Sequence, residues 1–235
     1  MLVLSAHGVT PTIQAGQLPG VDVLLDKYVE AVGGRTAIER HTTRLMKGTY
    51  AIPTRNYSTT VEAYARAPDR FAFHMTGKGS TASRGFNGTI GWSRDFSEEG
   101  LHLLDGATLD ADRLEADFYQ PLHWRERYAT MTVTGVEVLA DRRVFVVDAV
   151  SPASRETMYF DTESGLLVRR DVPRYRGFQR VQVYFDNYRV SGDIRQPFTI
   201  RIVWTDRPFM NIFAFDTIVN DVKIDDAKFN PPRVR

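Results

Sequence analysis

Between Val133 and Trp204 the chain alternates apolar and polar residues through one segment after another, each closed by a short turn. No other feature limits the fold so strongly. Successive side chains of an extended strand point to opposite faces, so Phe198, Ile200, Ile202 and Trp204 share one face and Thr199, Arg201 and Val203 the other. Gly85-Phe86-Asn87-Gly88-Thr89-Ile90-Gly91-Trp92 and Tyr159-Phe160-Asp161-Thr162-Glu163-Ser164-Gly165-Leu166-Leu167 carry turn residues between apolar runs, and Asn87-Gly88 is a hairpin signal. Strands are expected at 43–52, 59–66, 71–76, 130–138, 144–150, 156–161, 166–172, 180–190, 194–204 and 213–223. Residues 77–85 read as a polar loop. Short turns between such strands are the grammar of an antiparallel meander. A sheet of about ten strands twists, and it must close, split or curl around something.

Ahead of the strands, Val21, Leu24, Leu25, Tyr28 and Val32 recur at helical spacing, with Asp26, Lys27 and Glu30 on the other side. Asp22 is the expected N-cap. Gly33-Gly34 ends the helix, since glycine adopts the left-handed C-terminal conformation at little cost. Thr36-Ala37-Ile38-Glu39 has capping-box spacing and starts a short second helix. Leu114, Phe118, Leu122 and Arg125 place one or two further helices in 110–128, which Pro121 ends or kinks. The expected fold is α+β: a strongly curved antiparallel sheet, an incomplete β-barrel of about ten strands, covered by two or three helices. Residues 21–235 form a single domain, and 1–20 an N-terminal arm or signal remnant, with Ser5-Ala6-His7-Gly8 or Ile13-Gln14-Ala15-Gly16 near a cleavage site.

The charge balance gives no reason to expect nucleic acid. Thirty basic and 29 acidic residues leave a net charge of +1, and the arginines are scattered instead of clustered. With no cysteine among 235 residues, disulfides, thiolate metal sites, a cysteine nucleophile and a lipid-modified cysteine are excluded for this chain. No run approaches the ~20 apolar residues of a membrane helix.

Motifs for catalysis fail on inspection. Gly77-Lys78-Gly79-Ser80-Thr81 has a glycine between lysine and hydroxyl and no βαβ context, so it is not a phosphate loop. Gly91-Trp92-Ser93 lacks the second glycine of a nucleophile elbow. None of His7, His41, His74, His102 and His123 pairs at the i, i+4 spacing of a helical zinc site. Asp110, Asp112, Glu115 and Asp117 upstream of His123 read as a solvated helix face, and Asp225-Asp226 as a turn before Phe229. No catalytic residue, metal ligand or cofactor site emerges, and the chain reads as a non-enzyme.

The aromatic residues remain. Tyr64, Phe73, Phe86, Trp92, Phe118, Trp124, Tyr184, Phe198 and Trp204 are read as candidates for lining a cavity between sheet and helices, against the plainer alternative of core packing. Residues 77–85 and 100–110 are the candidate lids. A ligand binder, an interaction module with a filled core, and a small hydrolase or isomerase using the same cavity are the competing functions.

Leu24-Leu25-Asp26-Lys27-Tyr28-Val29-Glu30-Ala31-Val32-Gly33-Gly34 with Ala37-Ile38-Glu39 resembles the opening of bacterial LolA-like proteins, the outer-membrane lipoprotein-sorting proteins. The likeness continues through Gly85-Phe86-Asn87-Gly88, Gly91-Trp92, Tyr159-Phe160-Asp161, Gly165-Leu166-Leu167, Val183-Tyr184-Phe185-Asp186-Asn187-Tyr188, Pro197-Phe198 and Phe229-Asn230-Pro231-Pro232. The resemblance implies an unclosed, curved sheet capped by helices around an apolar cavity that shelters acyl chains. It also implies a periplasmic or secreted location. The partner it implies is a hydrophobic small molecule, a lipid or a lipoprotein, with at most transient contact with a membrane.

Overall fold

The computed structural model describes residues 18–77, 80–96, 100–152, 154–174 and 179–232. The N-terminal arm up to residue 17 and the lysine of the phosphate-loop look-alike lie outside them. Two helices, α1 (Val21–Ala31) and α2 (Arg35–Arg40), lead into β1 (Thr43–Ile52). A meander follows through β2 (Tyr57–Arg66), β3 (Arg70–Gly77), β4 (Ser80–Phe86), β5 (Gly91–Arg94) and β6 (Leu101–Leu103). The chain then leaves the sheet for α3 (Gly106–Ala116) and α4 (Gln120–Arg127). It returns as β7 (Thr130–Leu139), β8 (Arg142–Val150), β9 (Arg155–Asp161), β10 (Leu167–Arg174), β11 (Gln179–Ser191), β12 (Ile194–Trp204) and β13 (Met210–Asn220).

These strands form one sheet in the order β6-β5-β4-β3-β2-β1-β13-β12-β11-β10-β9-β8-β7, antiparallel throughout. The last strand lies beside the first. As a result β6 and β7, consecutive along the chain, are the two edges of an unclosed sheet, and α3–α4 is the strap between them.

Thirteen strands stand where about ten were expected. The surplus is β4, β5 and β6. Of these β4 falls in 77–85, where it pairs with β3 from Gly77↔Ser80 to Phe71↔Phe86, so most of the expected loop is strand. Its Ser, Thr and Gly residues carry little hydrophobic signal, and the ladder with β3 supplies what the side chains do not. Among the described residues the α-helices number four. Segment 110–128 divides at Asp117, and Pro121 falls in the first turn of α4, where its missing N–H leaves no bond unmade. α1 starts two residues early, with Gly20 at its N-cap, and Asp22 lies in its first turn and pairs with Arg125 at 2.6 Å. No side chain caps α2. Gly33 and Gly34 do end α1, at φ 130° and 83°.

Register assigns the faces, because directly opposite residues of a ladder share one. The row Val147, Met158, Arg170, Val183, Ile202, Asn211 crosses β8 to β13 on one face, joined by Phe185, Ile200, Phe213 and Tyr50. Leu24, Leu25 and Tyr28 of α1 and Leu122 and Trp124 of α4 pack on Val147, Met158 and Phe160, which makes this the inner face. Tyr64, Ala72, Gly85 and Trp92 form a row on the outer face, covered by Ile224 and Phe229 of the C-terminal segment. There Asp225 caps a 3₁₀ turn by accepting from the Ala227 N–H at 2.9 Å, and Trp92 Nε1 donates to the Phe229 carbonyl at 2.9 Å.

Candidate functional site

Helices cover the two wings of the inner face. α1 and α4 lie over β8–β10. α3 lies over β4 and β5, with Leu109 against Gly91, where a Cβ would stand 2.9 Å from the leucine methyl, and with Asp112 bound to Arg84. Between the wings, β1, β2, β3, β12 and β13 present a second apolar cluster built on Tyr50, Val61, Ala63, Met75, Phe198, Phe215 and Ile218. Among the described residues no helical one belongs to it. Met46, Ile52, Phe73, Ile200 and Phe213 pack on this cluster but stay half-buried, although their strands are interior to the sheet. Phe213 is its centre: its ring lies 4.9 Å from Tyr50, 6.1 Å from Phe73 and 6.5 Å from Phe215. The result is an apolar trough running along the middle strands, walled by the helices.

Arg170, Arg84 and Arg44 project from the inner face and are at least partly buried, and the first two are neutralised. Arg170 is buried and donates through Nη2 to Glu156 at 2.7 Å and to Glu115 at 3.3 Å, and through Nη1 to Gln120 at 3.4 Å. This group ties β9 and β10 to the strap. Burial alone would raise the Glu156 carboxyl and lower the Arg170 guanidinium. Their mutual charge and hydrogen bonds outweigh it, so Glu156 sits below, and Arg170 above, its ordinary value. Arg84 grips Asp112 of α3 with two hydrogen bonds, at 3.0 and 2.5 Å. Arg44 differs. Its Nε donates to Asn220 at 3.0 Å, its guanidinium lies 5.0 Å over the Phe118 ring, and burial lowers it to about 10. Tyr28, stacked on Trp124 at 5.1 Å, is pushed up to about 12 by burial.

The nine aromatics named from the sequence divide between the faces. Phe73, Phe86, Phe198 and Trp204 lie on the inner face by register, and Phe118 and Trp124 come to the same side from the strap. Phe73, Phe198 and Trp204 belong to the middle strands, with Phe86 and Trp124 under the wings. Tyr64 and Trp92 are on the outer face beneath the C-terminal segment. Tyr184 is there too, in a ladder running Tyr159, Arg169, Tyr184, Arg201, where guanidinium and ring alternate at 4.3, 5.7 and 4.6 Å. Alternation makes the strands legible, but it does not say which parity faces the helices.

The acids of α3 are not a uniformly solvated face. Asp112 is buried on Arg84, Glu115 reaches Arg170, and Asp117 receives His123 Nδ1 at 2.9 Å. Arg44, Glu156, Arg170, Phe213 and Asn220 were missed. The signal available was a charge at an inward position of an apolar strand, as in Leu167-Val168-Arg169-Arg170, but the register that makes it inward exists only in three dimensions. Among the described residues no group of three or more His, Asp or Glu is placed to hold a metal ion, and no helix is long and apolar enough to cross a membrane.

No family model and no curated protein matches the sequence. Solved structures match the fold. A DUF1329 family protein from Desulfovibrio piger superposes with a TM-score of 0.64 at 11% identity, over 89% of this chain and 97% of that one. A LolA superfamily protein from Nitrosomonas europaea gives 0.59 at 10% identity, over 91% and 98%. A domain assigned as an outer membrane lipoprotein-sorting protein from Vibrio parahaemolyticus gives 0.57 at 10% identity, over 88% and 97%. The fold is therefore LolA-like, in agreement with the resemblance in the sequence.

Proposed function

We propose that this protein binds or carries a hydrophobic ligand, a lipid, an acyl chain or the acyl part of a lipoprotein, in the inner trough, without catalysing a reaction on it, in the bacterial periplasm. One observation carries the reading: Phe73, Ile200 and Phe213 lie on interior strands, between helices, and are still only half-buried. Large apolar side chains gain by full burial, and a contiguous row of them left part-covered is a surface for an apolar partner. The LolA-like fold supports the same reading, since structures of that kind include one assigned to lipoprotein sorting.

The mechanism is burial. Each methylene removed from water contributes about 0.8 kcal/mol, so a long tail offsets the cost of association. Residues 21–235 act as one binding domain. Uptake and release proceed by displacement of the strap, with residues 100–110, which lead from β6 into α3, as its hinge. Of the aromatics named from the sequence, the half-buried Phe73 and Trp204 contact the tail, and the buried Phe86, Phe118, Trp124 and Phe198 form the packing behind it.

Titration with a fluorescent fatty acid tests the proposal. It predicts saturable one-to-one binding that Phe213→Asp weakens at least tenfold, while the fold is retained by circular dichroism. A linear, unsaturable signal would reject the carrier and leave an interaction module on the same fold.

A further inference from the structure

We infer that the trough is built for an amphiphile with an anionic head, a carboxylate or a phosphate at the end of an acyl tail, and that Arg44 is the residue that receives the head. The inference rests on the trough as the ligand site and specifies what it holds.

The argument is one of charge. Among the described arginines of the inner face, Arg189 is exposed to solvent, 4.8 Å over the Phe198 ring, whereas Arg170, Arg84 and Arg44 are at least partly buried. Arg170 has Glu156 and Glu115, and Arg84 has Asp112. Among the described residues no carboxylate lies within ion-pair distance of Arg44. Of its five N–H donors only Nε meets an acceptor among the described residues, the Asn220 side-chain oxygen at 3.0 Å. Asn220 is itself held, donating to the Ser191 carbonyl at 3.3 Å, so it orients the guanidinium without neutralising it. The Phe118 ring, 5.0 Å from the guanidinium carbon, fixes one side of the plane. Arg44 is half-buried, and partial loss of water with no anion beside it lowers its pKa. The two outer nitrogens of such a guanidinium form a fork matched to a carboxylate or phosphate.

The placement fits an amphiphile. Arg44 shares its face of β1 with Met46 and Tyr50, and β13 beside it carries Ile218, Phe215 and Phe213. The six steps from Arg44 to Tyr50 span about 20 Å at ~3.3 Å each. One leaflet of a bilayer's hydrocarbon is about half of ~30 Å, so a single tail with its head fits that run.

The test is calorimetric titration of the full chain with hexadecanoate, hexadecyl phosphate and hexadecanol, which share a tail and differ in the head. The wild type is expected to bind one or both anions about tenfold or more tighter than the alcohol. The tighter anion tells a carboxylate head from a phosphate one. Arg44→Met is expected to lose that preference and keep its affinity for hexadecanol, with Arg44→Gln as a second variant should the first not fold. Equal binding of alcohol and anions by the wild type overturns the inference and leaves the trough standing, as does a preference that survives in a folded Arg44 variant. Failure of all three ligands to bind overturns the trough, and the inference with it.

Discussion

Replacing Glu156 by Gln tests how the strap is held to the sheet. Glu156 and Arg170 are 6% and 5% exposed at their side chains, and their contact at 2.7 Å joins β9 to β10 beneath α3 and α4. Removing one partner of a buried ion pair typically costs about 3–5 kcal/mol, because the other charge is stranded. Glu115 stays with Arg170, but it is 52% exposed and recovers only about 1 kcal/mol, the worth of a surface pair. The net loss is about 3 kcal/mol. For a chain of this size each kcal/mol lowers the melting temperature by about 2–4 °C, so a fall of about 6–12 °C is expected.

Glu115→Gln serves as the control and should cost no more than about 1 kcal/mol. The pH dependence gives a second reading. The Glu156 carboxyl is held below its unfolded value of 4.5, so its contribution is complete above that pH and drains as pH falls through the lower folded value. The gap between wild type and Glu156→Gln therefore narrows on acidification below about 4.5 and is flat above it. Urea denaturation from pH 3 to 8, run at steps of about one unit, measures both. A loss at Glu156→Gln no greater than at Glu115→Gln, or a gap that widens in acid, would refute the account.

Two further substitutions separate the faces. Asp112→Asn removes the charge of the Arg84 pair under α3, where Asp112 is only 4% exposed, and is expected to cost about 1–3 kcal/mol in chemical denaturation while speeding uptake of a fluorescent fatty acid through a looser strap. Tyr184→Leu removes the ring between Arg169 and Arg201 on the outer face; it should lower stability by about 1 kcal/mol and leave fatty-acid affinity unchanged.

Much of the sheet was legible because its strands alternate cleanly. Phe198, Ile200, Ile202 and Trp204 lie on one face as their spacing requires, and Asn87-Gly88 turns where expected, with the Asn87 side chain accepting from the Thr89 and Ile90 N–H groups at 3.0 and 2.8 Å. His74 falls opposite Phe73 and Met75, edge-on to Tyr64. What escaped depends on partners distant in the chain. Thr81, Ala82 and Ser83 are strand because β3 pairs with them, which their own propensities do not announce. Trp92 looks like a cavity residue until the C-terminal segment, 137 positions away, supplies Phe229 to cover it. The contrast between Arg44 and Arg170 cannot be read at all without register, since each is an arginine in an apolar strand and only the fold brings Glu156 to one and Asn220 to the other.

The three tryptophans supply the most direct test of where the ligand sits. Trp92 is fully buried on the outer face, and Trp204 lies on the inner face at the end of β12. Two single-tryptophan proteins are needed, one with Trp124→Phe and Trp204→Phe, the other with Trp92→Phe and Trp124→Phe. Each is titrated with brominated stearate, whose bromines quench indole fluorescence only at close range. Saturable quenching of Trp204 with Trp92 undimmed is the predicted result. Quenching of Trp92 to the same extent, or of neither, would contradict binding in the inner trough.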